Sequence, residues 1–82
     1  MNIVDIQSQL RAMIARLARI DTDFRGEADV FRELGLESAA ALDLLLQMEE
    51  EFDVAIDDED FGQSRTLEQM TALVAGLRGI AA

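Results

Sequence analysis

The stretch LGLESAAALDLLLQMEEEF, residues 34–52, decides the fold. Leu34-Gly35-Leu36 has the form of a glycine turn, and Ser38 follows it at the head of a run of strong helix formers: alanines at 39, 40 and 41, then a leucine-rich centre. The spacing predicts a helix from Ser38 to about Glu51 or Phe52. Its apolar set (Leu42, Leu44, Leu45, Leu46, Met48, Phe52) is wider than one core-facing stripe. Part of that set must therefore lie at the core's edge or face outward.

Working outward, Ile3, Ile6, Leu10, Met13, Ile14 and Leu17 fall at helical spacing between Ile3 and Ile20, with Asn2 and Asp5 placed as a cap and a first-turn acid. Asp21 to Leu36 reads as a long loop anchored by Phe24, Val30, Phe31 and Leu34, with a short helical turn expected at Val30–Leu34. Beyond the decisive stretch, Asp57 to Phe61 can make one helical turn, ended by Gly62. Thr66 with Gln69 has the form of a capping box, opening a last helix with the stripe Leu67, Met70, Val74 and Leu77 that ends around Arg78–Gly79. The expectation is an all-α, small four-helix bundle. It has three main helices, one short helix and a long loop between the first and second, in a single domain spanning 1–82 without repeat or linker.

Composition narrows the chemistry. The 82 residues include no cysteine and no histidine, which removes disulfides, thiolate and imidazole metal sites and histidine-dependent triads. Lysine and tyrosine are absent too, so most acid, base and nucleophile types are missing and a catalytic role is not expected. No apolar run reaches the roughly 18–20 residues of a membrane span, and Asp5 and Gln7 interrupt any signal-peptide core. The expected compartment is the cytoplasm. The acidic run Asp57-Asp58-Glu59-Asp60 lacks the glycine and spacing of a calcium loop, so no metal site is expected.

Charge is distributed unevenly. The net charge is −10, and residues 37–60 hold ten acids and no base. Such a field repels nucleic acid and anionic lipid and suits a basic protein partner. A serine opening a helix is ordinarily a cap, and an acidic helix face is ordinarily just solvated. Ten acids in one block, however, oppose folding by self-repulsion, which points to a use. A hydroxyl at an exposed helix start also has one: the free amides and positive dipole end favour a phosphate ester there.

Taken together, Ile3 to Leu17, Phe31-Arg32-Glu33-Leu34-Gly35-Leu36-Glu37-Ser38, Leu42-Asp43-Leu44, Met48 through Ile56, and Thr66-Leu67 resemble an acyl carrier protein over nearly the whole chain. The resemblance implies a four-helix bundle bearing 4′-phosphopantetheine, joined covalently to Ser38 through a phosphodiester and ending in a thiol that carries acyl groups as thioesters. It implies a non-catalytic tether. Its partners would be a phosphopantetheinyl transferase and an acyl- or aminoacyl-loading ligase, synthase or acyltransferase with a basic docking patch, met by a monomer. Glu37, Asp43, Glu49 and Glu50 would pair with the partner's cations, and Leu42 and Leu46, one turn apart, would add apolar contact. Leu45, Met48, Ile56, Phe61 and Val74 can line an acyl pocket, although burial preference alone makes them ordinary core. Three positions depart from the family pattern: Glu37 stands where Asp is usual, Ala39 where Leu is usual, and Asp57 where proline is common. These mark a specialised carrier with weaker contacts to partners tuned to the usual motif. Two other readings stay open: an acidic docking module without a prosthetic group, and an aminoacyl carrier.

Overall fold

The computed structural model describes residues 1–80, in four helices: α1 (Ile3–Ala18), α2 (Ser38–Phe52), α3 (Asp58–Gln63) and α4 (Leu67–Leu77). The last two positions of the expected 1–82 domain lie outside the described residues. α1 packs against both α2 and α4, and one continuous apolar core joins all four helices.

α1 begins with the expected cap. Asn2 Oδ1 accepts the Asp5 N–H at 3.0 Å, and the Asp5 carboxylate accepts the Asn2 N–H at 3.3 Å, so two otherwise orphaned amides are satisfied reciprocally. Ile6, Leu10, Met13 and Ile14 are buried, and Ile3 and Leu17 pack at the core's edge. The helix stops at Ala18, short of Ile20, because Arg19 turns left-handed (φ 59°) and the Ile20 N–H folds back to the Ala15 carbonyl at 3.0 Å.

The connection from α1 to α2 is a strap tied at several points. Val30 is fully buried and donates its N–H to the Arg65 carbonyl at 2.7 Å, while Asp29 makes an isolated antiparallel bridge with Thr66. Asp29 also accepts the amides of Phe31 and Arg32 and faces the Arg65 guanidinium at 3.0 Å. The Arg32 amide first, then Arg65, holds its carboxyl below the usual carboxylate range. On the α1 side, Arg11 lies 4.7 Å over the Phe24 ring and donates to the Thr22 carbonyl at 2.6 Å. Phe24, Phe31 and Leu34 pack on the core as anchors. The helical turn expected at Val30–Leu34 forms as a single turn, with the Glu33 N–H on the Asp29 carbonyl four residues back at 2.8 Å. The same carbonyl also takes the Leu34 amide at 3.1 Å, which closes the turn without propagating a longer helix.

In α2, Leu44, Leu45, Met48 and Phe52 are buried. Phe52 is fully enclosed, and truncating such a ring to alanine costs roughly 3–5 kcal/mol. The helix ends at Asp53, again left-handed (φ 52°), and Arg78 from beyond α4 donates to the Phe52 carbonyl at 2.6 Å. That contact supplies the cation that α2's own last turn lacks.

Two expectations near the C-terminus are corrected. Gly62 does not end α3 but sits inside it; Ser64 ends it, donating its N–H to the Phe61 carbonyl and its hydroxyl to the Asp60 carbonyl, both at 3.0 Å. Leu77 is 46% exposed rather than part of the core stripe, because Thr71 and Ala75 extend the buried face of Leu67, Met70 and Val74 in its place. The Thr66 cap forms, accepting the Gln69 N–H at 3.1 Å. Gln69's side chain accepts from Arg65 instead of Thr66, so only half the box is made.

Candidate functional site

Ser38 is the first residue inside α2, not its cap. The cap position belongs to Glu37 (φ −78°, ψ 162°), whose side chain makes no capping hydrogen bond. The first intrahelical bond runs from the Ala41 N–H to the Glu37 carbonyl at 2.8 Å. The amides of Ser38, Ala39 and Ala40 are therefore left without a helical acceptor. Ser38 is exposed, and its hydroxyl makes no hydrogen bond to any described residue. The ordinary explanation of a serine at this place, a side-chain cap, does not apply.

The approach to Ser38 is fixed locally. Gly35 takes φ 77°, a conformation that a side chain would strain. Leu36 is then buried, with its N–H on the Val30 carbonyl at 3.1 Å, so the strap pins the turn immediately before the serine. The result is a free hydroxyl beside three free amides at the positive end of a helix, a donor set suited to the oxygens of a phosphate ester.

Downstream on α2, Leu42 and Leu46 are 57% and 53% exposed and lie one turn apart. Glu37, Asp43 and Glu50 are exposed with them. Glu49 differs: it is half-buried, and its carboxylate accepts the Ile56 N–H at 2.9 Å, binding the segment after α2 back to the helix. Leu45, Met48, Ile56, Phe61 and Val74 all fall within the continuous core. Among the described residues no cluster of three or more acids is arranged to hold a metal, and no helix is long and apolar enough to cross a membrane.

A surface groove of about 480 Å³ lies between the end of α1 and the start of α2, with Arg16 and Arg19 on one side and Glu37, Ala39, Ala40 and Asp43 on the other. Its walls come from positions some twenty residues apart, so no local pattern announces it.

The family profile described as a phosphopantetheine attachment site matches residues 8–74. The chain is 36% identical over 59 residues to an acyl carrier protein of Desulforapulum autotrophicum, covering 70% of this chain and 77% of the relative. It is 31% identical over 68 residues to one from Bdellovibrio bacteriovorus, covering 82% and 87%. A third, from Syntrophobacter fumaroxidans, is 32% identical over 71 residues, covering 85% and 88%.

The chain belongs to the acyl carrier protein family. Membership makes it a phosphopantetheine-bearing carrier rather than a catalyst, one that works with a phosphopantetheinyl transferase and with synthases and transferases in general. For an acyl carrier protein without cysteine, the cofactor supplies the thiol that the polypeptide lacks. The residues at the start of α2 fit that group, since the exposed hydroxyl and the three unpaired amides stand together.

Proposed function

We propose that this carrier holds its phosphopantetheine on Ser38 and presents acyl groups, as thioesters on the arm's thiol, to enzymes with basic docking patches in the cytoplasm. The observation that carries the reading is the unengaged Ser38 hydroxyl at the first position of α2. The chain has two other serines. Ser8 lies inside α1, where no free amides stand beside it, and Ser64 is buried with its hydroxyl bonded to the Asp60 carbonyl. Ser38 alone combines access with a helix start.

The docking surface runs down α2 from the attachment point. Leu42 and Leu46 supply exposed apolar area, and Glu37, Asp43 and Glu50 supply charge for arginines and lysines of the partner. Glu49 contributes mostly to the field, because its carboxylate is occupied by the Ile56 amide. Exposed pairs of this kind are worth about 0–1 kcal/mol each, so docking should be brief and salt-sensitive, as a shuttle requires. Shelter for a carried chain would have to open among Leu45, Met48, Ile56, Phe61 and Val74. These five side chains are buried in contact with the common core, and a chain entering there would displace them rather than fill a standing hole.

Incubation with coenzyme A and a broad-specificity phosphopantetheinyl transferase, read by intact-mass spectrometry, tests the attachment. The wild type should gain one phosphopantetheinyl group and a folded Ser38→Ala variant none. An unshifted wild type would point to the docking module without a prosthetic group.

A further inference from the structure

α2 carries acids and no base along its whole length, yet the face shared by its first turn and α1's end carries two arginines. The groove there, about 480 Å³, falls in the size range of small-molecule sites, and it borders the residues on either side of Ser38. Arg16 lines the groove and is tied to α2 by its hydrogen bond to Gln47, just outside the lining, at 2.7 Å. Arg19 projects from the left-handed end of α1, and its guanidinium has no hydrogen-bond or ion-pair partner among the described residues. Ala39 and Ala40 keep the opposite wall low. A longer side chain at Ala39, which is exposed, would stand in the mouth of the groove.

We infer that this groove between α1 and α2 is the resting site of the carrier's own prosthetic arm. The inference rests on the Ser38 attachment reading. The chemistry of the lining selects the occupant. An alkyl chain would find two guanidinium and two carboxylate groups and would have to desolvate them without return. An arm with one phosphate, a hydroxyl and two amides matches instead. Arg19 and Arg16 face the anion and the amide carbonyls, and Glu37 and Asp43 accept from the amide N–H and hydroxyl groups. Net charge in the lining is zero, so the groove is spared the repulsion that an anion meets along the rest of α2. Tethering does the remaining work: with its root on Ser38 the arm is present at an effective concentration in the millimolar range, roughly, so contacts too weak to hold free pantetheine suffice.

An arm lying toward α1 leaves Leu42, Leu46 and Glu50 uncovered, so a partner can dock before the thiol is withdrawn from the groove.

Amide NMR spectra of the carrier before and after complete loading, with loading verified by mass, test this. Resonances of Leu17, Ala18 and Arg19 should shift along with those of residues 37–41, and contacts should appear between the arm's methyl groups and Ala39 or Ala40. In loaded Arg19→Gly, which removes the guanidinium while suiting the left-handed backbone, the α1 shifts should shrink severalfold. In loaded Ala39→Leu, which fills the mouth of the groove, they should vanish. Arms of both variants should also react faster with a bulky thiol reagent than the wild-type arm. Failure of the mass to rise would overturn the attachment reading. Loading that moves only residues 36–42, or α1 shifts indifferent to both substitutions, would overturn the groove alone.

Discussion

Glu37→Asp probes the attachment site through its one missing interaction. Two helices of this molecule are capped by side chains: Asn2 accepts the Asp5 N–H at 3.0 Å, and Thr66 accepts the Gln69 N–H at 3.1 Å. α2 has no such bond, although Glu37 occupies the cap position with suitable extended backbone. Glutamate is one methylene too long to fold back on the second or third amide, whereas aspartate is among the preferred caps. Replacing a good cap by alanine costs typically about 1 kcal/mol, and glutamate already interacts favourably with the helix dipole, so the shorter acid should gain roughly 0.5–1 kcal/mol. In a domain of this size that is a rise of about 2–8 °C in Tm. Urea unfolding followed by circular dichroism measures the gain, and hydrogen exchange at Ala39 and Ala40 localises it. Glu37→Gln is the control, since it removes the charge without shortening the chain, and it should give no gain. Equal stabilisation by Gln and Asp would mean that relief of repulsion, not capping, was responsible, and an unchanged Asp variant would contradict the reasoning about the free amides.

Other outcomes follow from the same structure. Asp53→Gly should stabilise by about 0.5–1 kcal/mol in urea unfolding, because glycine suits φ 52° and an acid leaves the negative end of α2; a loss of stability would refute this. Raising ionic strength from low to physiological should raise Tm by screening the ten acids of residues 37–60, and a flat or falling curve would remove self-repulsion as a cost of the fold. Asp29 has a folded carboxyl held below its unfolded value, so its contribution is complete above roughly pH 4 and is lost as the pH falls through the lowered value. Asp29→Asn should therefore melt below wild type at pH 7, with the gap closing under acid; parallel curves down to pH 2 would show that Asp29's ionisation contributes nothing.

What could be read in advance was what neighbouring residues decide among themselves. The Asn2 cap, the span of α2 and the Thr66 half of its box each lie within one or two helical turns of sequence, and these appear as expected. The excess of leucine on α2 also pointed correctly to outward-facing residues, which are Leu42 and Leu46. Pairings between distant segments had no such signature. Val30 meets Arg65 and Asp29 meets Thr66 across more than thirty residues, beside the single helical turn that was expected there. Gly62 looked like a stop because glycine often is one, but the end of α3 is set by Ser64's bonds to Asp60 and Phe61. Ser38's place at the head of α2 was legible and its surroundings were not. The diversion of Glu49 to the Ile56 amide exists only once the segment after α2 folds back on it, and the approach of Arg16 and Arg19 to Ala39 only once α1 and α2 are packed.

The central claim is that one hydroxyl, at the first position of α2, anchors the cofactor. Protease digestion of the loaded protein, with fragments sequenced by mass spectrometry, locates the attachment directly. The account predicts the phosphopantetheinyl group on the fragment containing Ser38 and on no other. Its recovery on Ser8, or persistent loading of Ser38→Ala, would contradict it.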